Sequence, residues 1–252
     1  MKLLKVRPRK KSKKPIPFRH IIPNMVTSGN LLCGMFSLIL TYNGRFVPAA
    51  WMVFFAVIFD GLDGKVARSL GGGSQFGLEY DSLADLVSFG VAPGMMMYAA
   101  SLKNFGGLMG AIIACFFALC VALRLARFNV VHVPGPFQGL PSPAGGLFVA
   151  SFALAGLPLD TVPAMMAVVL LMTGFLMISS VPYTNLKKLT KKSANRKKCF
   201  LVLGVVSLSF ILLHGAASLV FFSVYIISGL LRFDWERWLL LPTEDVVEEH
   251  IG

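Results

Sequence analysis

With 252 residues, 56% of them hydrophobic and only 14% charged, the chain is too apolar for an ordinary soluble domain and reads as a membrane protein. Its net charge of +12 would suit a nucleic-acid binder if the basic residues formed one face. They sit instead mostly in two blocks beside apolar segments, where anionic lipid is the natural neighbour, so nucleic acid is set aside as a partner. Cys33, Cys115, Cys120 and Cys199 lack the paired spacing of a zinc site or a disulfide framework and read as packing residues.

In chain order, a basic tail over 1–19 comes first, and the apolar run after it has no small-residue cleavage site, which argues against a signal peptide. A span needs about 20 mostly apolar residues. Eight stretches qualify, near 25–42, 47–66, 83–102, 108–130, 145–157, 162–181, 200–213 and 216–231, with a start ahead of Gly145 expected for the short fifth one. The predicted fold is therefore all-α, a polytopic membrane bundle of about eight helices. Its divisions are the tail 1–19, a core over 20–182, a basic loop over 183–199, two additional spans over 200–233 and an acidic tail over 234–252. Nine Lys and Arg residues precede the first span and seven more lie between the sixth and seventh, whereas loops of the opposite parity hold little beyond Arg45 and Lys103. Basic residues collect in cytoplasmic loops, so both termini and the loop after the second span are expected on the cytoplasmic side of the cell's inner membrane.

That loop and its flanks hold five of the twelve acidic residues, Asp60, Asp63, Glu79, Asp81 and Asp85. Asp60, Asp63, Gly64, Ala67 and Arg68 recur at helical spacing on the end of the second span, and Gly77, Asp81 and Asp85 share a face of the next helix. The stretch Gly71-Gly72-Gly73-Ser74 turns the chain between them. Four carboxylates converging beside hydrocarbon would repel one another and be costly to desolvate, a conflict that a divalent cation resolves. Oxygen ligands without Cys or His suit Mg²⁺, Mn²⁺ or Ca²⁺, as one ion or two. Gly64, Ala67 and Gly77 leave room for a bulky ligand, and Arg68 offers a fork for phosphate oxygens. A divalent-cation transporter would place its acids in mid-span; these cluster at a span end beside Arg68.

The spacing Asp60-x2-Asp63-Gly64-x2-Ala67-Arg68-x8-Gly77-x3-Asp81-x3-Asp85 resembles the full signature of the CDP-alcohol phosphotransferases. The resemblance covers a six-helix core and leaves the last two spans outside it. It implies a membrane transferase that moves a substituted phosphate from a CDP-linked donor to an alcohol and releases CMP. Asp60, Asp63, Asp81 and Asp85 would then hold Mg²⁺ or Mn²⁺, with Gly64, Ala67, Arg68, Ser74 and Gly77 on CDP-diacylglycerol. Three further segments resemble the membrane-integral, serine-accepting branch of that family: Pro23-Asn24-x2-Thr27-x2-Asn30, Ala122–Asn129 and Gly139–Ala144. L-serine is accordingly the expected acceptor and phosphatidylserine the product; another acceptor, such as glycerol phosphate, is the alternative.

Arg124 and Arg127, three apart at the end of the fourth span, are expected to face one cavity and receive a serine carboxylate or a lipid phosphate, with Asn129 beside them. Either could equally anchor its span at the interface. Asn24, Thr27 and Asn30 recur every three residues, either to contact ligand or to stitch helices together. Asp85 is the expected general base on the serine hydroxyl. Membrane lipids are the surroundings, and a homodimer is left open.

Overall fold

The computed structural model describes residues 21–70, 74–130, 137–183, 215–231 and 233. Four helices are long and apolar enough to cross a membrane: α1 (Ile21–Tyr42), α2 (Phe46–Ser69), α3 (Gln75–Ala100) and α4 (Leu108–Val130). Three shorter apolar helices follow, α5 (Ser142–Leu154), α6 (Pro163–Ile178) and α7 (Ala216–Leu230). The only strands among the described residues are β1 (Phe137–Gln138) and β2 (Pro182–Tyr183), paired antiparallel. The chain is an all-helical, multi-pass membrane protein.

Seven of the eight expected spans fall on these helices. The one near 200–213 lies outside the described residues, as do both tails and the basic loop beyond Tyr183. The third helix runs through the acidic arm into the span, as the spacing of Gly77, Asp81 and Asp85 predicts, and it begins at Gln75, where the Ser74 hydroxyl accepts the Gly77 amide at 3.0 Å and caps the first turn. The second acidic arm and the third span are thus one continuous helix.

The α1–α2 turn closes on Gly44 at φ +70°, with the amides of Gly44 and Arg45 returning to the Thr41 and Leu40 carbonyls. This paired closure needs a left-handed residue after the helix, which glycine supplies without strain. It folds α2 back along α1, the most extensively packed pair in the bundle. Large apolar side chains such as Leu32, Phe36, Phe55, Ile58 and Leu119 stay exposed on the outer faces, as contact with lipid requires.

At 13 residues α5 is about 20 Å long, short of the roughly 30 Å hydrocarbon layer. It tolerates this because it is interior: nine of its residues are buried, and it packs against α2, α3, α6 and α7. Where α1 and α5 meet α3, the helix widens into a π segment, Leu86–Val91, directly after Asp85. A Cβ on Gly34 would lie 2.9 Å from the Ser88 Cα, and one on Gly146 would lie 2.8 Å from the Phe89 carbonyl oxygen. Only glycine lets three backbones come this close, and the Ser88 hydroxyl seals the junction by donating to the Asn30 carbonyl at 2.9 Å.

Candidate active site

The site forms where the end of α2 and the start of α3 lie against the start of α1. Asp60 and Asp63, one helical turn apart on α2, and Asp81 on α3 each present a carboxylate oxygen, all within 4.8 Å of one another. Asp63 is buried, and its carboxylate accepts from the Thr27 hydroxyl at 3.1 Å. Hard oxygen donors gathered this tightly, without Cys or His, fit a divalent cation of the Mg²⁺ or Mn²⁺ kind, whose charge would offset their mutual repulsion.

Asp85 stands apart from that group of three. It lies one turn deeper on α3, is 7% exposed, and accepts from the Asn30 side-chain amide at 2.8 Å. Asn30 is itself fully buried. The polar triplet of α1 therefore acts as a stitch between the two acidic arms. Thr27 reaches Asp63 and Asn30 reaches Asp85, while the Ser28 hydroxyl meets the Tyr80 hydroxyl at 2.9 Å. The three-residue spacing of Asn24, Thr27 and Asn30 was the sequence signal for this; which acid each would reach was not readable from one helix alone.

Two cavities open on either side of the acids. The smaller, about 360 Å³, is lined by Asn24, Thr27, Asp63, Gly64, Ala67, Ser74, Gly77 and Asp81 among others. The residues expected on the CDP-linked donor thus come together, apart from Arg68, which is exposed and turns Nη1 toward Gly64. At Gly77 an added Cβ would sit 3.1 Å from the Asn24 amide oxygen, so α1 closes on that face.

The larger cavity, about 460 Å³, carries Asp60, Asp81, Ser82, Asp85, Arg124 and Asn129 on an otherwise apolar wall that includes Phe128, Leu147, Phe222 and Tyr225. Asp81 and Leu78 border both spaces, so the carboxylate group sits at the partition between them.

The two arginines of α4 part company. Arg124 is buried, lines the larger cavity and donates to the Ser142 hydroxyl at the start of α5. Arg127 is exposed, does not line that cavity, and donates to the Ile178 carbonyl at 3.4 Å. Three residues on a helix subtend about 60°, enough here for α5 to cover one side chain and leave the other at the α6 terminus. Asn129 lines the cavity and donates to Ser82 at 3.0 Å and to Glu79 at 3.3 Å, tying α4 to α3. The place of α7 in this wall had no sequence signal at all.

Comparison with known proteins identifies relatives of the chain. Over 244 residues, 94% of the chain and 98% of the relative, it is 37% identical to a CDP-diacylglycerol–serine O-phosphatidyltransferase of Helicobacter pylori. A protein of the same name from Bacillus subtilis is 33% identical over 67% of the chain and 93% of its own length. Among solved structures, the phosphatidylinositol phosphate synthase of Mycobacterium tuberculosis with CDP-DAG bound superposes with a TM-score of 0.47 at 22% identity, covering 62% of this chain and 80% of that one. Residues 20–186 match the CDP-alcohol phosphatidyltransferase family, and the chain belongs to that family.

Proposed function

We propose that the chain transfers the phosphatidyl group of CDP-diacylglycerol to the hydroxyl of L-serine, giving phosphatidylserine and CMP. The observation that carries this is the pair of cavities meeting at Asp81. A nucleotide-sized space, the more polar of the two, and a largely apolar one open on the same carboxylate group, as a reaction joining a nucleotide-linked donor to a second substrate requires. Two relatives that cover most of their own length carry the serine transferase name, which supports serine over other alcohols.

In this reading Asp60, Asp63 and Asp81 would hold the divalent ion, Mg²⁺ or Mn²⁺, which would supply positive charge for the phosphate oxygens of the donor. The cytidine takes the smaller cavity beside Gly64, Ala67 and Gly77, with Ser74 at its edge and Arg68 at its mouth on phosphate oxygens. Asp85 takes the proton of the serine hydroxyl, the hydroxyl oxygen bonds to the phosphorus that bears diacylglycerol, and the bond from that phosphorus to the CMP oxygen breaks. Its separation from the group of three and its bond from Asn30 favour the base role over a ligand role. Asn30 fixes which carboxylate oxygen faces the substrate. Arg124, held by Ser142, presents a fixed cation to the serine carboxylate. Arg127 and Asn129 stand at the rim, toward the lipid phosphate.

The acidic end of the bundle faces the cytoplasm of the cell's inner membrane. Nine basic residues precede α1 and seven more lie between 187 and 198, against Arg45 and Lys103 at the opposite end.

Purified protein supplied with labelled CDP-diacylglycerol and equal amounts of serine, glycerol 3-phosphate, inositol phosphate and choline tests the reaction. Labelled phosphatidylserine and stoichiometric CMP are expected, dependent on Mg²⁺ or Mn²⁺. A product carrying another headgroup would overturn the choice of acceptor and leave the transferase chemistry standing.

A further inference from the structure

Helix α7 lies beyond residue 186, outside the stretch that the family covers, yet Phe221, Phe222 and Tyr225 from it wall the larger cavity. Its register is fixed at both ends. A Cβ on Gly215 would run into the Leu154 carbonyl at the end of α5, and one on Gly229 would run into the Tyr183 ring of β2. The helix therefore lies antiparallel to α5 along its whole length, and a slide by one turn in either direction is blocked. Between these stops, Phe222 meets Phe54 of α2 edge-on at 6.3 Å, and the Tyr225 ring stands 5.6 Å from that of Tyr183. The helix is thus held by two neighbouring elements, with the Tyr225 ring in the cavity wall.

The polar groups of that cavity divide by chemistry. Asp60, Asp81 and Asp85 supply the negative charge of the lining and Arg124 its positive charge, so a zwitterionic acceptor entering it turns its ammonium toward the carboxylates and its carboxylate toward Arg124. The hydrogen-bond donors that line the space are Ser82, Asn129, Arg124 and Tyr225. Ser82 and Asn129 bond to each other across α3 and α4, and Arg124 already donates to Ser142. The Tyr225 hydroxyl lies close enough to the Arg124 guanidinium to interact with it electrostatically, so a carboxylate drawn to Arg124 comes within reach of the hydroxyl.

We propose that Tyr225 is an acceptor-binding residue: its hydroxyl, with Arg124, receives the carboxylate of the amino-acid acceptor, so that a helix outside the family core takes part in choosing the alcohol. This rests on the serine-transfer reading above and adds a specificity residue to it.

The test is steady-state kinetics of purified Tyr225→Phe, which keeps the ring packing and removes only the hydroxyl, with Tyr183→Phe as the control on the partner ring. Losing a hydrogen bond to a charged group should raise the serine KM about tenfold or more. The donor KM, and turnover at saturating serine, should stay within about twofold of the parent. Tyr183→Phe should leave the serine KM unchanged. Serinol, which lacks the carboxylate, should be a poor acceptor for the parent, and the gap between serine and serinol should narrow in Tyr225→Phe. An unchanged serine KM, or equal changes in both KM values, would overturn the proposal, as would the same shift in Tyr183→Phe, which would make the effect one of ring packing. Donor-induced thermal stabilisation of each variant, measured without acceptor, shows whether the fold and donor site are intact. If the parent uses an alcohol other than serine, the serine reading fails on its own, and Tyr225→Phe is then judged by the KM of that alcohol.

Discussion

Asp81 belongs to both cavities, which makes it the residue whose loss should be felt most widely. Asp81→Asn keeps the side-chain shape and removes one anionic ligand from the group of three, so turnover should fall by at least about 100-fold and the residual rate should respond weakly to added Mg²⁺ or Mn²⁺. A metal titration of activity checks this; near-parental turnover at limiting metal would exclude the ligand role. Asn30 supports a different step. It is fully buried and donates to Asp85, so Asn30→Ala leaves a buried carboxylate short of a donor at a cost of about 1–3 kcal/mol. The expected result is a lower thermal midpoint and a reduced kcat with the CDP-diacylglycerol KM unaltered, because the loss falls on the base and not on the donor cavity. A change confined to the donor KM would move Asp85 out of the base role.

At the scale of the helix, the end of α2 shows how one face can serve two spaces. Asp60 points to the larger cavity while Asp63, Gly64 and Ala67 line the smaller, an angular spread that three to seven residues of α-helix produce. Ala67→Leu should therefore fill the donor space while leaving the helix intact, since leucine is nearly as good a helix former as alanine. The donor KM should rise about tenfold and the serine KM should stay put, as substrate-dependence curves for both would show; equal rises would mean that the two cavities act as one. The acidic hairpin was legible in the sequence because helical spacing converts directly into facing side chains, and the Asp60, Asp63 and Asp81 group is that spacing realised. The separation of Asp85 was not legible. It depends on Asn30 of another helix and on a π segment that starts at the next residue, and neither leaves a local pattern around Asp85. Arg124 and Arg127 were read as equivalents for the same reason: what separates them is cover from α5, a tertiary fact.

For the whole molecule, the order of helices and the charge of their ends make a single statement about orientation. The starts of α1, α3 and α5 and the ends of α2, α4, α6 and α7 gather at the acidic end, where Tyr183 meets Gly229; Gly215 and Leu154 meet at the other end, near the α6 start. The spans were readable because apolar length is a local property, whereas the return of α7 onto the site was not, being decided by packing on α5. Ser69, exposed at the end of α2, and Asn104, exposed after α3, report on the two ends. In a variant with all four native cysteines replaced, Ser69→Cys should react with a membrane-impermeant thiol reagent only after the cells are opened, and Asn104→Cys should react in intact cells whose outer barrier has been made permeable. The site would then open where free serine is dissolved and where the head group of membrane-held CDP-diacylglycerol is presented. The reverse pattern would place the acids on the far side of the membrane and overturn both the orientation and the supply of substrates that the proposed reaction needs.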